Sequence, residues 1–190
     1  MAAALSSLAQ RLQSYVPDPR RFPQDPWVLV AVQEALAAAL EGNFGIGAVL
    51  LDAQGDLVTK GHNQVFSPYF RSEAHAEMVV LNAFESAHRD VTRVGKYTLI
   101  SSLEPCPMCF ARLLTAGIGH IFYAAPDAGA GMVSRMEDLP PVWKSLAEGK
   151  ELGLAKCSPD LQKLALEFFL VTTGNDQRLK DRASCEAVGN

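Results

Sequence analysis

An α/β fold with a mixed sheet covered by helices is what this sequence predicts. Three observations carry that expectation. Two apolar segments joined by a short glycine-containing turn open the pattern as a hairpin. After the hairpin, helix-like and strand-like segments alternate, the mark of a sheet clad in helices. The chain has 190 residues, 48% hydrophobic and 20% charged, enough for one sizeable core and too apolar for a disordered chain.

The elements follow in order. Residues 1–25 read as an N-terminal appendage: Leu5 to Val16 is a short amphipathic segment, and Pro17, Pro19 and Pro23 break any helix after it. Asp25-Pro26 reads as an N-cap followed by proline at the first helical position. The alanine- and leucine-rich stretch Trp27 to Glu41 is a helix that Gly42 ends. Ile46 to Leu51 and Leu57 to Val65 are strands, with AQGD as the turn between them. Ser72 is an N-cap for a helix over Glu73 to His88, in which Met78, Val79, Leu81 and Phe84 gather mostly on one side. Tyr97 to Ser101 is the third strand, Pro107 to Ala116 a helix closed by Gly117, and Ile118 to Ala124 the fourth strand. Pro126 to Pro141 is rich in glycine and proline and reads as an irregular loop. Leu152 to Cys157 is a candidate fifth strand, and Ser158-Pro159 starts a last helix reaching Val171. The segment 173–190 is polar, mixed in charge and expected to fray.

Composition narrows the function classes. Seventeen Lys+Arg against 21 Asp+Glu leave a net charge of -4, which gives no overall support for tracking a phosphate backbone. The longest apolar run, Trp27 to Leu40, is interrupted by Gln33 and Glu34, so no membrane span is expected. The start, MAAALSSLAQR, lacks a basic region before its apolar residues, and a secretory signal is not expected. Four cysteines do not make a disulfide framework, and two of them three apart point to metal or redox chemistry in a cytoplasmic protein.

Those two are Cys106 and Cys109, in Pro105-Cys106-Pro107-Met108-Cys109. Their partners lie 31 residues earlier, His75 and Glu77 around Ala76. Two thiolates and one imidazole are three ligands of a tetrahedral zinc site, and a three-ligand set is the catalytic arrangement. Both groups open helices, where exposed N–H groups favour thiolate over thiol. His75 and Glu77 are two apart and do not share a helix face; they converge if the metal lies beyond the helix end, toward which side chains tilt. A structural zinc has no use for an adjacent acid, whereas a carboxylate beside a metal-activated water can carry its proton to a leaving group. A CxxC pair alone is weak evidence, so a thiol–disulfide redox module using Cys106 and Cys109 stands as the alternative of another class. His62, His88 and His120 have no partner pattern and read as structural or surface residues; Cys157 reads as a buried strand residue and Cys185 as a tail thiol.

Through these residues the chain resembles the cytidine deaminase superfamily, whose H-x-E and P-C-x-x-C signatures match. Within it the chain is similar to the branch of bacterial tRNA adenosine deaminases and guanine deaminases. The matching stretches are FGIGAVLLD (44–52), GHN (61–63), AHAE (74–77) and LEPCPMC (103–109). The resemblance covers the order of elements over 26–172, a zinc-dependent deaminase domain, and implies a three-layer α/β/α cytidine-deaminase-like fold with a central mixed five-stranded sheet, usually as a homodimer. It implies that His75, Cys106 and Cys109 bind one Zn2+ per chain and that Glu77 is catalytic, shuttling protons while an exocyclic amine leaves as ammonia and a carbonyl remains. Asn63 would hydrogen-bond the substrate base, Phe44 would line the ring pocket, the backbone at Ala76 would face the reacting centre, and Glu104 would orient the loop after the cysteines.

For the substrate, the loop FSPYFRSEA has Arg71 as its only base, and the helix from Asp160 to Val171 has one lysine, Lys163, where the tRNA enzymes of the family often carry a basic C-terminal helix. A small-molecule nucleobase or nucleoside is therefore favoured, guanine or a related purine, with tRNA adenosine to inosine as the alternative. The segment 126–141 departs from the guanine enzymes and looks more like the adenosine-type branch. Tyr69 and Phe70 are candidates for ring stacking or a dimer contact, and Asp127 for a turn cap.

Overall fold

The computed structural model describes residues 2–184; the expectation for Cys185 lies outside them. Five strands form one mixed sheet: β1 (Gly47–Leu51), β2 (Leu57–His62), β3 (Thr98–Leu103), β4 (His120–Ala125) and β5 (Glu151–Leu154), in the order β2-β1-β3-β4-β5. β1 pairs antiparallel with β2 and β3, with Ala48 opposite Gly61 and Ser101; β3–β4 and β4–β5 are parallel. Successive strand side chains point to opposite faces, and the chain uses that period. Val49, Leu51 and Ile100 enter one core; Ala48, Leu50 and Leu99 enter the other. All five residues of β1 are buried because both faces of the sheet are covered.

The first core lies under α1 (Ala2–Gln13), α2 (Asp25–Leu40) and α6 (Pro159–Leu170). Each buries one helical stripe: Leu5, Leu8 and Leu12; Val28, Ala31, Val32, Ala35 and Ala39; Leu161, Leu164, Ala165 and Phe168. The second core lies under α3 (Ala76–Ala87), α4 (Pro107–Ala116) and α5 (Pro141–Ala147), with Val80, Leu81, Phe84, Phe110, Leu113 and Leu114 inside. This is the three-layer α/β/α arrangement, and it belongs to the α/β class. Gly117 closes α4 in a left-handed conformation (φ 83°), and Leu113 and Leu114 carbonyls accept its N–H. No helix of the described residues is long and apolar enough to cross a membrane.

The structure departs from the expected elements at five places, each for a local reason. Residues 2–13, expected as an appendage, pack on α2 and α6 through the three leucines. The proline segment behind them is pinned by Tyr15, whose hydroxyl donates to Asp25 Oδ2 (2.5 Å) and also lies 2.6 Å from Ser158 Oγ. Burial, then the Asp25 bond, pushes the Tyr15 phenol up to about 12. Asp25 does not cap its helix because its carboxylate serves Tyr15 and the N–H groups of Ser158 and Asp18; Gln24 is the N-cap. α3 starts at His75 rather than Ser72. β5 ends at Leu154, leaving Cys157 buried just after the strand. Two helices lie where no helix is expected: α5, which follows the irregular loop, and α7 (Asn175–Ala183) in the polar tail.

Where β2 meets α2, His62 Nδ1 lies 2.8 Å from Glu34, His62 Nε2 3.2 Å from Glu41, and Lys60 Nζ 2.9 Å from Glu34. The bond to Glu34 holds the imidazole above its ordinary value against the opposing effect of burial. The His62 bond likewise holds Glu34 below the ordinary carboxylate value. A raised imidazole pKa stabilises the fold at low pH and loses that contribution as pH rises through the folded value; a lowered carboxylate pKa does the reverse. Both contributions are complete only between the ordinary values, 4.5 and 6.5. His62→Gln should therefore cost about 1 kcal/mol in that window and progressively less toward pH 9. Urea midpoints across the pH range read it; a penalty flat with pH contradicts it.

Candidate active site

His75 and Cys106 occupy equivalent positions in two neighbouring elements. Each is the N-cap of its helix in extended conformation (φ -69°, ψ 157° and φ -70°, ψ 171°), and neither side chain caps its own helix. Freed of that task, the imidazole and the thiol turn toward each other, with Nδ1 3.6 Å from Cys106 Sγ. Cys109, one turn into α4, brings its sulfur to the same point from a fully buried position. The three ligand atoms lie within 4.8 Å of one another. Two sulfurs and one imidazole nitrogen at that separation fit a zinc ion, a donor set that hard, oxygen-seeking cations do not use.

Electrostatics match. The hydrogen bond from Cys109, followed by that from His75, outweighs burial and brings the Cys106 thiol down to about 4, so it is a thiolate at neutral pH. Its partner Cys109 is pushed the other way, by that same bond and by burial. His75 is disfavoured as a cation by burial, yet Cys106 and Glu77 raise it overall.

Glu77 is the second residue after the His75 cap, buried beside the three donors, with Ser101 donating to its Oε1 at 3.5 Å. Burial, then the charge of Cys106, raises its carboxyl above the ordinary range. A carboxyl raised in this way holds a proton more readily than an exposed one, the direction a proton shuttle needs.

These groups form the floor of a cavity of about 210 Å³. Phe44, Asn63, His75, Glu77, Glu104 and Cys106 line it; Cys109 and Ala76, both fully buried, do not, and the Ala76 side chain packs in the second core. Asn63 is fully buried: its Oδ1 accepts the N–H of Val65, and its Nδ2 has no partner among the described residues. A buried amide with an unmet donor is costly unless a ligand takes it. Glu104 uses both oxygens on the next loop, accepting from Ser134 N–H (2.7 Å) and Asp127 N–H (3.2 Å). Gly131 lies so close that a Cβ there would strike this carboxylate and come within 2.6 Å of the Asp127 carbonyl. Gly131→Ala should cost about 1–3 kcal/mol by overpacking, read as a lower denaturation midpoint; an unchanged midpoint contradicts this tether.

Tyr69 is exposed, and neither it nor Phe70 lines the cavity; Arg71 lies over the Tyr69 ring and Arg182 over that of Phe70. Asp127 caps its own turn, with Oδ1 accepting from Gly129 and Ala130 N–H groups, and it also lines the wall. Sequence reading did not name Ile46, Leu103, Ala130, Phe169, Asp176 and Leu179 as lining residues, and the last two sit on α7. The signal was there: NDQRLKDRA holds no glycine or proline, and Gln177 and Asp181 are an i,i+4 pair that bonds at 2.7 Å.

Residues 24–125, more than half of the chain, match the model of a family described as the cytidine and deoxycytidylate deaminase zinc-binding region. A tRNA-specific adenosine deaminase of Bacillus subtilis is 33% identical over 109 residues, 57% of this chain and 66% of that one. A tRNA(Ile)-lysidine synthase of Deinococcus radiodurans is 36% identical over 122 residues, 62% of this chain and 20% of that one. The chain thus spans less than two thirds of the length of these relatives. Among solved structures, one from a study of A-to-I editing by tRNA:A34 deaminases superposes with a TM-score of 0.63 at 25% identity, covering 75% of this chain and 98% of that one. A guanine deaminase from Nitrosomonas europaea superposes with a TM-score of 0.57 at 20% identity over 86% of this chain and 92% of that one, a likeness of fold.

Proposed function

The chain belongs to the cytidine and deoxycytidylate deaminase family, and on that premise we propose that it is a hydrolytic deaminase, replacing the exocyclic amine of a free nucleobase or nucleoside, a purine by preference, with a carbonyl. The observation that carries this reading is the buried carboxyl of Glu77 against the His75–Cys106–Cys109 cluster on a cavity floor. A zinc ion held by those three side chains supplies the activation of water for attack. The rest is assigned to residues of the chain. Glu77 takes a proton from the attacking water, passes it to the ring nitrogen, and delivers a second to the departing amine, so that water and an amino ring become a carbonyl ring and ammonia. Asn63 Nδ2 donates to an acceptor on the ring and fixes which carbon faces Glu77. Phe44 packs on the ring face, backed by Phe66 and Phe169 at 5.6 and 6.4 Å between centroids. Glu104 holds the loop 127–134 as a wall. Residues 26–172 are assigned as the deaminase domain, with α1 buttressing it and α7 contributing to the cavity wall.

Size supports a small substrate. The cavity is smaller than the roughly 300–1,000 Å³ typical of sites for drug-sized ligands, which suits one ring system. A second reading, deamination of adenosine in tRNA, is favoured by what the sequence relatives are called. Against it stand the net charge of -4 and a cavity lining without lysine or arginine among the described residues, although α7 beside it carries Arg178, Lys180 and Arg182. An ammonia-release panel separates the two: guanine, adenine, cytosine, their nucleosides, and tRNA. Turnover of a base or nucleoside is expected. Ammonia from tRNA alone, falling steeply with added salt, would replace this reading with the second.

A further inference from the structure

The charged groups in the cavity wall are nearly all of one sign. Beside His75 they are Glu77, Glu104, Asp127 and Asp176, and no lysine or arginine lines the cavity among the described residues. Three of the acids are committed. Glu77 is buried beside the three donors, Glu104 holds two backbone N–H groups, and Asp127 Oδ1 holds two more. Asp176 is different: it is exposed at the rim, and its carboxylate has no hydrogen bond or ion pair among the described residues.

Asp176 reaches the rim because α7 is strapped across it. Arg178 Nη1 donates to the Gly42 carbonyl (2.9 Å) just past the end of α2, where unpaired carbonyls attract cations. The same guanidinium lies 3.8 Å from the centroid of Phe66, and that of Arg182 lies 3.8 Å from Phe70. The arginines of α7 thus fasten the helix, and its first turn turns an acid toward the opening. Inside, the unmet donor of Asn63 awaits an acceptor.

Resting on the deaminase reading above, we propose that Asp176 is a charge-selecting residue of this pocket: it admits an uncharged ring that offers N–H or O–H donors at its outer edge, a free base or nucleoside, and rejects the same ring bearing a phosphate. The distinction matters within this family, whose name spans nucleosides and nucleotides alike.

Purine riboside lacks the amine that would leave, so its binding is read without turnover. Calorimetry on the zinc-loaded full chain should show it binding at least about tenfold more tightly than its 5′-monophosphate, the scale of repulsion between a carboxylate and a dianion several ångström away in a high dielectric. Asp176→Asn should shrink that preference by about fivefold or more on the same Coulomb scale, while Asp176→Glu keeps it. At about 0.5 M salt the wild-type preference should shrink as well, since exposed charges are then screened within a few ångström. An identical preference in wild type and Asp176→Asn, or a wild type that prefers the monophosphate, overturns the proposal. Ammonia release keeps the two levels apart. Turnover of guanine or guanosine with an unchanged preference removes Asp176 from selection and leaves the deaminase intact. No riboside binding and no ammonia from any ring removes both.

Discussion

Glu77→Gln is expected to keep its zinc, keep its fold, and lose ammonia release by at least about 10²–10⁴-fold, the usual contribution of a positioned acid–base group. Glutamine has the shape of glutamate, so the buried space is filled and the bond from Ser101 retains an oxygen acceptor. It cannot carry a proton. The carboxyl is 4% exposed, and the other acids inside the cavity are engaged elsewhere, Glu104 by the N–H groups of Ser134 and Asp127, and Asp127 Oδ1 by those of Gly129 and Ala130. Removing a buried acid whose ionised form is disfavoured by burial should not destabilise the fold and should raise the denaturation midpoint slightly. Metal content, unfolding and ammonia release are measured on the same preparation. Turnover within tenfold of wild type at full metal content would remove Glu77 from the chemistry.

Cys106→Ala is the second change with a large expected effect, and it acts on the metal. Cys106 is the thiolate of the pair, held in that state by Cys109 and His75. Without it one sulfur and one imidazole remain, and zinc affinity should fall by more than about 100-fold, beyond the 10–100-fold that loss of an outer partner costs. Ammonia release should vanish with the metal. The thermal consequence is independent of any substrate. A ligand that binds only the folded state stabilises it by mass action, about 4 kcal/mol at a thousand times its dissociation constant. Chelation should therefore lower the melting temperature of the wild type and leave that of Cys106→Ala unmoved. A variant that retains zinc and responds to chelation as the wild type does would mean that Cys106 is not a ligand. A thiol–disulfide module would show the converse, a reversible Cys106–Cys109 bond and no metal; in this structure both thiols are free.

Much of this architecture is legible in the residues, and the limits of legibility are physical. Strands and helices declare themselves where the period of burial is strong: β1 alternates between two cores, and Gly117 ends α4 because only glycine takes its left-handed conformation easily. The helix start that holds Cys106 follows from the neighbouring Pro107, whereas Ser72 places the start of α3 three residues before its actual cap, His75. What fails is what depends on partners distant in sequence. Asp25 looks like a cap and is instead taken by Tyr15 and Ser158, more than a hundred residues apart from each other. Nothing local to residues 1–25 says that Leu5, Leu8 and Leu12 meet α6. α7 buries no residue, so the apolar period that marks other helices is missing; arginine–aromatic contacts and a bond to Gly42 hold it instead. That omission matters most for function, because α7 delivers Asp176 and Leu179 to the cavity.

Zinc-edge X-ray absorption on the purified chain interrogates the metal cluster itself, without assuming a substrate. The spectrum should fit one zinc per chain bound by two sulfurs, one imidazole nitrogen and a light donor from outside the protein, and the imidazole contribution should disappear in His75→Ala. A shell of four sulfurs, a shell of oxygens alone, or no zinc in an active preparation would contradict the arrangement on which the assignment of Glu77 and its cavity depends.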